Sequence, residues 1–183
     1  MKRRKRKEPD YALIAIKVDD YSVRADAEIN SSLLGSPRFF DNEEEPVHEF
    51  ETKLEITGLC TDPEDRVGHR FEISMYGAAD IDQRTPKIKD LRERNKEGDY
   101  RYRTYRGREY PVYAPPPPVA YIDKVRGENR WITWLWVPPR MVTDTLIILS
   151  GNKQTYISLH EIKEGRKRRA QNLTVQTTDP ADE

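Results

Sequence analysis

Apolar residues recur at every second position in several separate stretches of this chain, and that spacing most restricts how it can fold. Tyr21, Val23, Ala25, Ala27 and Ile29 alternate with Ser22, Arg24, Asp26, Glu28 and Asn30. Phe50, Thr52, Leu54 and Ile56 alternate with Glu49, Glu51, Lys53 and Glu55, and Phe71, Ile73 and Met75 repeat the rule. Successive side chains of an extended strand point to opposite faces, so a period of two describes a strand with one buried face. A helix turns every 3.6 residues and would scatter the same residues around its circumference.

Further strands fall into place around these. Ala12, Ile14, Ile16 and Val18 share one face of Tyr11–Val18, and with Asp19-Asp20 as a tight turn this run forms a hairpin with Tyr21–Asn30. Asn30–Val47 reads as a loop, and Thr61–Asp65 as a turn set by Pro63 and its flanking carboxylates. In the last third, Val119–Val125 pairs with Arg130–Val137, Thr143–Leu149 pairs with Thr155–Ile162, and Asn172–Thr177 is a final strand. One helix is expected from Thr85 as N-cap through Pro86 to Gly98, with Asp90 and Arg94 as a four-residue ion pair. The fold class is therefore mainly β: a single β-sandwich or barrel-like domain with one short surface helix and a basic Tyr/Arg-rich insertion. Residues 1–9 read as a disordered basic arm, 10–178 as the β-rich domain with its charged insertion at about 80–118, and 179–183 as a loose tail.

Composition agrees with one modest core. The 183 residues are 36% hydrophobic and 35% charged, and the longest apolar run, Leu146-Ile147-Ile148-Leu149, is far short of a membrane span. A lone Cys60 and a basic N-terminus with no apolar stretch behind it point to the cytoplasm, or to the nucleus in a eukaryote. The zero net charge conceals segregation: +6 in residues 1–7, −13 in 8–83, +6 in 84–108 and +1 in 109–183. Such asymmetry bears on partners rather than on fold.

The densest chemical signal is YRYRTYRGREYPVY, Tyr100 to Tyr113. Arginine offers a planar charged fork for phosphates and tyrosine a flat ring for bases, so Tyr100, Arg101, Tyr102, Arg103, Tyr105, Arg106 and Arg108 are candidate nucleic-acid contacts. In an extended chain Tyr100 and Tyr102 face one way and Arg101, Arg103 and Tyr105 the other. Arg84, Lys87 and Lys89 lead into the segment, and Arg166, Lys167, Arg168 and Arg169 add a second basic cluster after the last hairpin. The expected partner is DNA or RNA. A protein partner or a homo-oligomer is the alternative: tyrosines serve interfaces too, and Trp131, Trp134 and Trp136 supply further aromatic anchors. Of these, Trp134 and Trp136 share a face with Ile132, and Trp131 shares the other with Thr133, Leu135 and Val137. Pro115–Pro118 is a stiff extended spacer between the basic segment and the C-terminal strands.

For catalysis the sharpest signal is Asp144 with Glu161-Ile162-Lys163. This set resembles the PD-(D/E)xK nucleases. The resemblance implies a metal held by Asp144 and Glu161, with Lys163 polarising the attacking water or steadying the transition state. Thr143 stands where that pattern has proline, and the flanking helices of the nuclease sheet are not visible in the sequence. The histidines His48, His69 and His160 lie at no metal-ligand spacing, and nothing in the sequence calls for a cofactor. Binding without catalysis is the leading expectation.

Overall fold

A computed structural model describes residues 10–29, 48–78, 91–114, 118–164 and 167–182. Seven strands close into a barrel. They are β1 (Asp10–Ile29), β2 (His48–Asp62), β3 (Arg70–Ala78), β6 (Ala120–Lys124), β7 (Arg130–Val137), β8 (Tyr156–Glu164) and β9 (Lys167–Gln176). Around the barrel the order is β1-β2-β3-β7-β6-β9-β8, and β8 closes the ring by pairing with β1. Every neighbouring pair is antiparallel except β3 with β7. Parallel neighbours cannot be joined by a tight turn. The crossover between β3 and β7 carries β6 and a separate hairpin, β4 (Tyr102–Tyr105) with β5 (Arg108–Pro111). The expected choice between sandwich and barrel resolves to a barrel.

The inward residues are those the alternation selects. Ile14, Ile16, Leu54, Ile56, Phe71, Ile73, Met75, Ile122, Leu135, Ile157 and Leu159 are all buried in one core. Each such side chain contributes about 1.5–3 kcal/mol when fully removed from water.

Several elements depart from the expectations, for identifiable reasons. Asp19-Asp20 is not a turn. β1 runs unbroken from Asp10 to Ile29 with a register shift between Val18 and Asp20, so Asp19 is the extra residue of a β-bulge. Opposite the bulge the strands crowd. A Cβ on Gly58 would lie 2.3 Å from the Lys17 carbonyl oxygen and 2.9 Å from Ile16 Cγ2, so glycine is the residue that fits. Beyond Lys17, β1 loses its β8 partner and continues as a ribbon with β2. Its alternating residues Val23, Ala25, Ala27 and Ile29 are therefore exposed rather than half-buried.

Thr143–Leu149 is not a strand. It belongs to the helix α1 (Pro139–Leu149), which begins with proline at its first turn, where the missing N–H costs nothing. Val142, Thr145 and Leu149 turn one face onto the barrel, touching β2, β3 and β9. The strand β8 pairs instead with β9, which begins at Lys167, earlier than the expected Asn172. The one short helix among the described residues is thus α1, not Thr85–Gly98. Residues 85–90 lie outside the described residues, and 91–98 are extended and turn. There the Asn95 side chain accepts the N–H groups of Glu97 (3.0 Å) and Asp99 (2.8 Å), a local bonding scheme that competes with helix. The tail expected to be loose forms a 3₁₀ turn, Pro180–Asp182, with Pro180 buried. The arm 1–9, the loop 30–47 and most of the proline run lie outside the described residues.

α1 follows directly on the end of β7 and closes that end of the barrel. At the other end a short 3₁₀ turn, Glu64–Arg66, lays the Arg66 guanidinium over Trp131, near the start of β7, with its Cζ 4.7 Å from a ring centroid. No helix among the described residues is long and apolar enough to cross a membrane.

Candidate nucleic-acid interface

The Tyr/Arg segment folds on itself. Arg106 (φ 50°) and Gly107 (φ 74°) form a two-residue turn with both dihedrals left-handed, the geometry that matches the twist of a hairpin. The turn sets the register Tyr102 to Pro111, Arg103 to Tyr110, Thr104 to Glu109 and Tyr105 to Arg108. Residues directly opposite share a face. One face therefore presents Arg103, Tyr105, Arg108 and Tyr110, with each arginine beside a ring both along and across the ribbon. Tyr105 is 59% and Tyr110 40% exposed. Among the described residues Arg103 and Arg108 make no ion pair. The other face holds Tyr102, Thr104, Glu109 and Pro111, so a carboxylate interrupts it.

The base of the hairpin is a structural joint. Tyr100 lies against two guanidinium groups, with Arg92 Cζ 3.9 Å and Arg94 Cζ 4.2 Å from its ring centre. Their Nη2 atoms also donate to the Tyr100 hydroxyl, at 3.0 and 2.8 Å. Arg101 pairs with Glu93. Backbone bonds from Glu93 N–H to Val112 O (2.7 Å) and from Arg101 N–H to Glu93 O (2.8 Å) tie the incoming strand to the hairpin. Tyr100 and Arg101, expected as contacts, are thus occupied in holding the hairpin together. Arg106, at the tip, sits 5.2 Å from the Tyr105 ring.

The tryptophan strand divides as its alternation implies. Trp131 is core, 3% exposed, and stacks on Phe71 with centroids 5.8 Å apart. Its Nε1–H donates to His69 Nδ1 at 3.1 Å. Trp131 is therefore not a surface anchor, whereas Trp134 and Trp136 lie on the outer wall of the barrel. There each meets a tyrosine that sequence reasoning passed over: Tyr121 with Trp134 at 5.7 Å, and Tyr76 with Trp136 at 5.8 Å. Both tyrosines alternate outward from core neighbours, Tyr121 from Ile122 and Tyr76 from Met75, and that was the available signal.

The second basic cluster also divides. Arg168 points into the barrel, where its Nη1 is 2.8 Å from Glu161 Oε1. Lys167 is exposed, and Arg169 stands opposite Tyr121 on the outer wall. Arg166, Arg84, Lys87 and Lys89 lie outside the described residues.

The nuclease set does not form a metal cradle. Glu161 is 2% exposed, and both its oxygens are engaged by guanidinium groups, Oε2 by Arg66 Nη2 at 2.6 Å and Oε1 by Arg168. Asp144 is on an exposed face of α1, beside Arg140 at 3.7 Å, because the segment is helix and not strand. Lys163 shares its strand with Glu161 but pairs across to Asp10 in register. Among the described residues no three His, Cys, Asp or Glu side chains group as a metal site. Cys60, buried beneath this end of the barrel, has its thiol pushed up from an ordinary value near 9 to about 11, chiefly by burial.

Compared with protein-family models, curated proteins and solved structures, the chain finds no match.

Proposed function

We propose that this chain is a non-catalytic nucleic-acid-binding protein of the cytoplasm or nucleus, which holds phosphates and bases with the β4–β5 hairpin. The observation that carries this reading is the face made of Arg103, Tyr105, Arg108 and Tyr110. Two guanidinium groups that make no ion pair among the described residues can each fork onto a phosphate, and two exposed rings can each take a base. The further cations Lys2–Lys7, Arg84, Lys87, Lys89, Arg166, Lys167 and Arg169 add to the field by sequence. A polyanion bound this way displaces counterions, so affinity falls steeply with salt. Fluorescence anisotropy with single- and double-stranded oligonucleotides at two salt concentrations tests it. Binding at low salt that weakens at high salt is expected, and no binding even at low salt overturns the reading.

A second reading, a protein-interaction or assembly subunit, draws on a different observation. One face of the β1–β2 ribbon exposes Val23, Ala25, Ala27, Ile29 and Phe50, and a contiguous exposed apolar patch is a feature of interaction sites. Sedimentation and pull-down at physiological salt after nuclease treatment separate the two. Monomeric, partnerless behaviour counts against it.

A further inference from the structure

The outer wall of the barrel carries a second aromatic surface that the hairpin does not use. Tyr121 on β6 and Trp134 on β7 are directly paired, as are Tyr76 on β3 and Trp136 on β7. Their rings lie nearly parallel, 18° apart in the first pair and 27° in the second. Trp134 and Trp136 are two residues apart on one strand, so the two pairs sit side by side, about 7 Å apart along β7. Together they make a strip of four rings across three strands. Tyr121 is 43% and Trp136 37% exposed, so ring area is left open to solvent.

The barrel does not need this surface for its core. The inward residues of β7 are Trp131, Thr133, Leu135 and Val137, all buried. Among the described side chains the other outward positions on β3 are Arg70, Glu72 and Ser74, so polar residues also stand on this wall. Charge around the strip is uneven. On the β9 side, Arg169 stands opposite Tyr121 and Lys167 is exposed, and neither makes an ion pair among the described residues. Asp123, next outward on β6, places a carboxylate on that side, and Glu164 stands opposite Lys167 in register. On the β2 side, Lys53 lies 5.5 Å from the Tyr76 ring centre but is already paired with Glu55.

We propose that the Tyr121, Trp134, Trp136 and Tyr76 strip is a base-stacking platform for single-stranded nucleic acid, with Arg169 and Lys167 taking the adjoining phosphate. Unpaired bases are the occupant that fits. Their faces are flat and π-rich, they stack on aromatic side chains without regard to sequence, and a duplex hides those faces inside its own stack. The proposal rests on the nucleic-acid reading above and adds to it a strand preference and a separate surface.

The test uses the full chain and a fluorescein-free oligothymidylate, followed by intrinsic tryptophan fluorescence, beside anisotropy with labelled single strand and duplex. The expected results are quenching by the single strand, little quenching by the duplex, and a loss of roughly ten-fold in single-strand affinity for the double variant Tyr121→Ala/Trp136→Ala. That variant removes two outward rings, and circular dichroism confirms its fold. Trp136→Phe, which keeps a ring, retains affinity and loses part of the quench. If the single strand binds the wild type without quenching, and Tyr121→Ala/Trp136→Ala binds normally while Arg103→Gln/Arg108→Gln does not, the platform is overturned and the hairpin reading stands. If no oligonucleotide binds the wild type, both fall. If the rings govern self-association rather than oligonucleotide affinity, the strip is a protein interface and the platform is again overturned.

Discussion

Glu161 shows how much one buried charge can govern. It sits between Arg66 and Arg168, both of which also lie against Trp131, with Cζ atoms 4.7 and 5.0 Å from the ring centre. Glu161→Gln removes the charge that two guanidinium groups answer, one of them buried. It should therefore cost about 3–5 kcal/mol in urea unfolding, the usual effect of breaking a buried pair from one side. Retention of wild-type stability would show that Arg66 finds another partner. Cys60 offers a second residue-scale prediction. Its raised thiol pKa means that the folded chain keeps the proton where the unfolded chain releases it. Stability from this group is whole below pH 9 and is lost as pH climbs from about 9 toward 11. At pH 8 the folded protein should resist thiol reagents and react only on denaturation, which a timed alkylation assay reads directly. These roles were not legible in the sequence. Glu161-x-Lys163 has the same letters whether the glutamate meets a metal or two arginines. The partner Arg66 is 95 residues away in the chain.

At the scale of elements, the alternation carried most of the barrel. Phe71, Ile73 and Met75 face inward, as do Leu54 and Ile56. What it could not distinguish was a turn from a bulge. Asp19-Asp20 has the composition of either, and only pairing with β2 on one side and β8 on the other decides. It also misjudged α1. Leu146-Ile147-Ile148-Leu149 is an unbroken apolar run without a period, and Pro138-Pro139 reads equally as the end of a strand or the start of a helix. Gly58 belongs to the bulge, and Gly58→Val should push β1 and β2 apart. A drop of several kcal/mol, or failure to recover soluble protein, is the expected outcome, with thermal melting as the measure. Gly107 belongs to the hairpin turn at φ 74°, so Gly107→Val should disorder the hairpin while the barrel melts as before. Amide exchange confined to β4 and β5 would confirm that division. The hairpin itself was half legible: Arg103 and Tyr105 on one face were anticipated. The turn at Arg106-Gly107 was not, and it is this turn that brings Arg108 and Tyr110 to the same face.

For the whole molecule, two surfaces of different character stand on one frame, and salt should tell them apart. On the proposed reading the hairpin holds phosphates through charge, so Arg103→Gln/Arg108→Gln should flatten the logarithmic salt dependence of single-strand binding by about 1.4, from roughly 0.7 for each phosphate contact. Removing rings from the outer wall should lower affinity equally at low and high salt. A titration series over salt for both variants reads the difference, and equal slopes for all three proteins would contradict the division.

The closure of the barrel has a consequence for synthesis on the ribosome. The seam joins Ile14 to Leu159, the first strand to one of the last. Until β8 and β9 have emerged, β1 and β6 remain open edges, and an open edge pairs readily with another nascent chain. A chain stalled or cut after α1 would thus be a sheet with two adhesive borders, open to pairing until β8 and β9 arrive.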